Sequence, residues 1–168
     1  MGKFYNNVRD NMLNAIPSDK WQIDVDDIKM EWKDITDENG TSLHEIFAAV
    51  TRDEDYERCM MKALLQFNMA LPQTGFGPGN HPDPYLWIKQ SFLEVLDEMI
   101  MYHSANYFSG SSGGVSTPVH ERVQILQGER STRKQVSDQR QRELKTHLNM
   151  EMAYGNIIPP GGYGNIYG

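Results

Sequence analysis

The apolar positions of this chain fall into helical repeats separated by runs of proline and small residues, and the densest repeat lies between Pro84 and His103, PYLWIKQSFLEVLDEMIMYH. Within it Tyr85, Ile88, Phe92, Val95, Leu96, Met99 and Tyr102 recur at steps of three or four, and Leu86, Leu93 and Ile100 widen the stripe. Asp83 is placed to cap this helix and Pro84 suits its first position. Only a band through Gln90, Ser91, Glu94, Asp97 and Glu98 reads as solvated, so the helix is expected at the centre of the core, covered by its neighbours.

Weaker repeats precede it. Residues 3 to 16 carry Phe4, Val8, Met12 (or Leu13) and Ile16 at helical spacing, and Pro17, Ser18 and Asp19 end that run. After Trp21 and Ile23, Asp24 can cap a helix bearing Val25, Ile28 and Trp32, closed by the turn Asp37-Glu38-Asn39-Gly40. This front piece of 40 residues is expected either to pack on the core or to swing out as an arm. Thr41 and Ser42 begin a third helix with Leu43, Ile46, Phe47 and Val50 inward. Asp53 can cap a fourth, running through Leu71, with Tyr56, Met60, Ala63, Leu64, Phe67 and Leu71 as its apolar face and Met61 and Met69 packing beside it. The connector Pro72 to Pro84 has four prolines and three glycines in 13 residues and is expected to hold no helix or strand.

Beyond the central helix, Ser104 to Pro118 is a small-residue loop. Thr117 then caps, and Pro118 opens, a long polar helix to about Met152. Its apolar positions are Val119, Val123, Leu126, Val136, Leu144, Leu148 and Met152, and Gly128 costs about 1 kcal/mol relative to alanine. So thin a stripe is narrower than the face one subunit usually buries, and the helix is expected to project or to pack on other subunits. In the end segment, Tyr154 to Gly168, the tetrapeptide Tyr-Gly-Asn-Ile occurs twice around Pro159-Pro160-Gly161-Gly162. Its glycines and prolines exclude helix, leaving a disordered tail or an extended segment that docks on a neighbour through Tyr and Ile side chains.

The pattern predicts a mainly α fold, a helical bundle around an apolar central helix. An N-terminal helical extension (1–40), a core (41–153) and an extended Gly/Tyr-rich tail (154–168) would divide the 168 residues. The net charge of -7 argues for protein partners rather than general nucleic-acid binding. All seven bases after residue 103 lie between Arg122 and Lys145, a run read as a solvated helix face or, alternatively, a nucleic-acid surface. Cys59 is the sole cysteine, so packing and not a disulfide must hold the fold, as in a reducing compartment. No signal-peptide core and no apolar run long enough for a membrane span is present, which predicts a soluble protein made in a cytoplasm. Gly2 does not make a myristoylation signal, because Asn6 stands where Ser or Thr is needed.

Candidate chemistry is sparse. His44-Glu45 begins the zinc-protease pattern H-E-x-x-H, but Ala48 occupies the second ligand position. His81, His103, His120 and His147 sit in separate elements without ligand spacing, and Asp83 near His81 reads as a helix cap. Gly110-Ser111-Ser112-Gly113-Gly114 matches G-x-S-x-G but follows a helix, not a strand, and Val115-Ser116-Thr117 separate it from the next helix. No glycine-rich loop ends in Gly-Lys-Ser/Thr, and acid pairs such as Asp26-Asp27 and Glu54-Asp55 suit helix starts. No catalytic residue, metal or cofactor is expected, and the chain reads as no enzyme.

The order of several short features is more specific. Ala63-Leu64-Leu65-Gln66-Phe67-Asn68 runs into Leu71-Pro72-Gln73-Thr74, a loop and the helix from Tyr85. Ser104-Ala105-Asn106-Tyr107, Gly113-Gly114-Val115-Ser116, Leu144-Lys145, Leu148-Asn149 and a Gly-Tyr-rich end follow. Over residues 41 to 168 this resembles the head-tail connector, or neck adaptor, proteins of tailed bacteriophage virions. The front 40 residues, the histidine-bearing loop and the doubled tetrapeptide depart from that pattern. The resemblance implies a non-enzymatic structural subunit in a homo-oligomeric ring of twelve copies. It would contact the portal protein and neck or tail proteins, and DNA would pass through the lumen without specific binding. A tail-completion or baseplate component is the nearest alternative, and a nucleic-acid-binding packaging factor the alternative of another class. The subunit interface is expected at Arg130, Arg133, Val136, Arg140, Leu144 and Leu148 on the helix and at Tyr154, Ile157, Tyr163, Ile166 and Tyr167 on the tail.

Overall fold

A computed structural model describes residues 20–37, 39–47, 51–109 and 117–157. In chain order its helices are α1 (Val25–Met30), followed by a 3-10 turn (Glu31–Asp34), α2 (His44–Phe47), α3 (Asp53–Met69), α4 (Pro84–Ser109) and α5 (Thr117–Ile157). Among the described residues there is no strand, only an isolated bridge between Thr36 and Ser42. The fold is mainly α, a helical bundle about α4. The expected helix over 3–16, the loop segment 110–116 and the tail beyond Ile157 lie outside the described residues.

Asp83 caps α4 as its position suggests: the Leu86 N–H donates to Asp83 Oδ1 (3.0 Å) and the Trp87 N–H to the Asp83 carbonyl (3.1 Å). Leu86, Trp87, Phe92, Val95 and Leu96 are buried, with Ile88, Leu93, Met99 and Ile100 partly so. Tyr85 and Tyr102, expected inward at the two ends of the stripe, are exposed. The helix also outruns its expected end at His103 and includes Ser104–Ser109, since no glycine or proline interrupts it before Gly110.

The described part of the front piece packs into the core, so a swung-out arm does not describe residues 20–37. Asp24 and Asp27 form a capping box, with Val25 N–H on the Asp24 carboxylate (2.6 Å) and Asp24 N–H on that of Asp27 (2.8 Å). The 3-10 turn then sinks Trp32 completely, stacked on Phe47, edge-on to Phe92, and donating its indole N–H to Tyr56 Oη (3.0 Å). Gly40, at φ 77, closes the turn that returns the chain so that Leu43 N–H reaches the Ile35 carbonyl (2.9 Å). Leu43 and Phe47 are inward as expected; the side chain of Ile46 and residue Val50 are outside the described part.

In α3 the expected face is buried at Tyr56, Met60, Ala63, Leu64 and Phe67, with Met61 and Cys59 beside it. Two expectations fail at its ends. Arg52, not Asp53, is the N-cap, and Asp53 instead accepts from Lys29 Nζ (2.7 Å). Leu71 is 82% exposed and Met69 is also exposed, because Ala70 is already extended and takes Leu71 off the helical repeat. The connector holds no helix or strand and is ordered by Asn68, whose side chain donates to the Phe76 carbonyl (2.8 Å) and accepts from the Phe76 N–H (3.1 Å).

α5 lies antiparallel to α4. Arg130 meets Asp97, Gln141 meets Gln90, Arg140 meets Asp83 and Lys145 meets Thr74, so partners descend as α5 ascends. The band of α4 expected to be wet is covered from two sides, with Gln90 and Asp97 half-buried against Gln141 and Arg130 of α5, Glu94 buried and Glu98 half-buried against Lys62 and Arg58 of α3, and Ser91 buried with its hydroxyl donating to the Trp87 carbonyl. α5 also continues through the first Tyr-Gly-Asn-Ile to Ile157, where helix was excluded. One glycine costs only about 1 kcal/mol and the prolines begin at Pro159.

Because Leu96 has no exposed surface, Leu96→Ala should lower unfolding free energy by about 2 to 5 kcal/mol in urea titrations, against under about 0.5 kcal/mol for Leu71→Ala.

Candidate subunit interface on the long helix

Only Val123 and Leu126 are buried apolar residues among the described side chains of α5. Past them the inward positions are Arg130, Arg133, Ser137, Gln141, Leu144, Lys145 and Leu148, still at helical spacing but mostly polar. The helix is therefore held along its own subunit at 123–148 by charge and hydrogen bonds, which corrects the expectation that its thin stripe needs another subunit to cover it.

Glu31, at the start of the 3-10 turn, is the hub. Its carboxylate accepts from Lys89 Nζ of α4 (2.7 Å) and from Arg133 Nη1 of α5 (2.6 Å), and its side chain is 12% exposed. Arg133 also pairs with Glu129 (3.1 Å), and its guanidinium lies 5.2 Å from the Phe92 ring centre, against the aromatic group around Trp32. Arg130 grips Asp97 through two nitrogens, and Lys62 pairs with Glu94 from the α3 side. Gln66, Glu94, Asp97, Lys134, Ser137 and Gln141 line a polar cavity of about 370 Å³, where Ser137 Oγ is buried without a protein partner.

Lys145 is buried without a carboxylate. Its Nζ donates to the Pro72 carbonyl and Thr74 Oγ1 (2.9 Å each) and lies 4.2 Å from the Phe67 ring centre, and burial pulls its pKa below the usual lysine value. His81 is also buried beside Phe67, 4.5 Å between ring centres, and is stacked on Trp87. Its Nδ1 accepts from the Asp83 N–H (3.1 Å), and burial lowers its pKa to about 4.

The expected interface residues thus divide. Arg130, Arg133 and Arg140 each hold a carboxylate of their own chain, Arg140 through Asp83 (2.6 Å). Leu144 and Leu148 are half-buried, and Val136 is 66% exposed. Tyr154 and Ile157 lie on the last turn of α5, their side chains outside the described part; Tyr163, Ile166 and Tyr167 lie wholly outside it. Sequence reasoning passed over Glu31 and Lys145. The available signal was a polar repeat on α5 facing acids on α4, which a search for apolar stripes does not register.

Among the described residues no group of three His, Cys, Asp or Glu side chains is placed to hold a metal, and no helix is long and apolar enough to cross a membrane. Burial pushes the Cys59 thiol up to about 12, so it packs as an apolar group. No protein-family model, curated protein or solved structure matches the chain.

Two outcomes follow from this electrostatic arrangement. Glu31→Ala strands Lys89 and Arg133 and should cost on the order of 3 kcal/mol, whereas Glu129→Ala, which leaves Arg133 its pairing with Glu31, should cost under about 1 kcal/mol in the same denaturation assay. His81 binds its proton less readily folded than unfolded. Its contribution is therefore complete above pH 6.5 and is lost as pH falls toward about 4, a difference of about 3 kcal/mol. His81→Gln should flatten that part of the stability-pH curve; an unchanged slope in the variant would place the effect elsewhere.

Proposed function

We propose that the chain is a non-enzymatic structural subunit of a tailed-phage virion, forming a ring in the head-tail connector between portal and tail. The observation that carries this reading is the overrun of α5. Its 41 residues span about 60 Å, against about 39 Å for the 26 residues of α4. Among the described side chains its last inward contacts to the bundle are at Lys145 and Leu148, after which Met150 and Met152 are exposed, and the helix continues to Ile157. A helix locked to its own subunit by one face and carried beyond it supplies a lever that neighbouring copies can grip. The order of short motifs resembling neck adaptors supports the same reading, and a net charge of -7 suits a channel through which DNA slides.

Charge pairing weighs against the packaging-factor reading. Of the seven bases from Arg122 to Lys145, Arg130, Arg133, Lys134, Arg140 and Lys145 already hold partners within the chain. A tail-completion or baseplate position remains the second reading, since an overrunning helix serves any ring.

Immunogold electron microscopy of particles of the phage encoding this chain tests the assignment. Label at the head-tail junction is expected. Label at the distal tail end would favour the baseplate, and particles that never carry label would contradict a virion role.

A further inference from the structure

Tyr85, Leu86 and Lys89 of α4, with Thr132, Val136 and Arg140 of α5, line a groove of about 270 Å³. Leu86 has no exposed surface, so the accessible apolar surface of the groove is that of Tyr85 (55% exposed) and Val136 (66% exposed). The cations that line it are already paired, Lys89 with Glu31, Arg133 with Glu31 and Glu129, and Arg140 with Asp83, and Lys89 and Arg140 also lie over the Tyr85 ring, at 4.8 and 5.4 Å. The groove therefore offers apolar surface and no free charge. Its volume falls below the roughly 300 Å³ at which small-molecule sites begin, and suits one or two inserted side chains.

We infer that this groove receives the segment Tyr163–Tyr167 from a second copy of the chain, an inference that rests on the ring-subunit reading above. Residues 154–168 contain no charged side chain, so the segment can enter without breaking the Lys89–Glu31 or Arg140–Asp83 pair, as a charged peptide would. Tyr163, Ile166 and Tyr167 supply the large apolar anchors that extended peptides place in pockets.

Reach decides between the chain's own tail and a neighbour's. Val136 lies 21 residues before the helix end at Ile157, about 31 Å back along α5. Fully extended, the chain from Ile157 reaches at most about 20 Å at Tyr163 and about 32 Å at Ile166. Tyr163 therefore falls short even of Arg140 at the near edge of the groove, 17 residues or about 25 Å back along α5, so the chain's own tail cannot seat the whole segment and the occupant comes from another copy.

A fluorescent peptide spanning residues 158–168, titrated with the full chain at concentrations where it is monomeric, tests this. Saturable binding is expected, at least tenfold weaker for Val136→Arg and for Tyr85→Ala, and within twofold of the parent for Met150→Arg, a control on the same helix outside the groove. Val136 and Met150 are exposed, and an unchanged thermal melt verifies that both variants fold. Absence of binding, or equal binding by Val136→Arg, would overturn the inference. Binding seen only after the chain's own residues 158–168 are removed would also overturn it, by showing that the groove is filled within one chain. Neck labelling without peptide binding sinks this inference alone, and peptide binding by a protein that labels elsewhere sinks only the neck assignment.

Discussion

A single carboxylate, Glu31, ties together the three parts of the chain that sequence order keeps apart. It sits between Lys89 of α4 and Arg133 of α5, while the residue after it, Trp32, is the fully buried centre of the aromatic core. Placing one charge out of water costs several kcal/mol, and two cations at 2.6 to 2.7 Å offset that cost only if the backbone holds all three groups in register. The capping box at Asp24 sets α1, α1 sets the 3-10 turn, and the turn delivers Trp32 inward and Glu31 to the seam in consecutive positions. Arg133 lying over Phe92, itself edge-on to Trp32, joins the ionic and aromatic groups physically.

Around this hub α4 works as a two-sided element. One face buries Phe92, Val95 and Leu96 in the core shared with α1 and α3, and the other presents Gln90, Glu94 and Asp97 toward the polar cavity beside α5. Apolar contact is nearly indifferent to sliding, but directed pairs are not. Moving α5 by one turn, about 5.4 Å, would break the contacts of Arg130, Arg133, Gln141 and Lys145 together. Charge thus fixes the register of a helix too poor in apolar residues to fix its own. It also leaves Val136, Met150 and Met152 exposed.

Local signals were the legible part. Asp24 and Asp83 cap where a short acceptor ahead of an apolar repeat should, and the periodicity around Phe92, Val95 and Leu96 identified the buried centre. What the sequence did not disclose depends on partners distant in the chain. Glu94, Asp97 and Glu98 read as wet from their polarity, yet Lys62 and Arg58 of α3 and Arg130 of α5 engage them from elsewhere in the chain. Lys145 reads as one base in a basic run until the connector brings the Pro72 carbonyl and Phe67 to it. Leu71 and Gly155 erred oppositely: the helix stopped before the one and passed through the other, the limit of boundary reading from composition. Arg130, Arg133 and Arg140 read as interface candidates from the sequence because the acids that engage them lie on other elements.

Hydrogen exchange on the dilute, full-length chain at neutral pH measures most directly whether charge and hydrogen bonds hold α5 to its own subunit. Amides from Val123 to Lys145 should be protected nearly as well as those of α4, with protection falling away between Met150 and Ile157 where the helix overruns the bundle. Fast exchange along the whole of α5, with α4 still protected, would contradict the account and return the helix to the status of an arm that only neighbours can order.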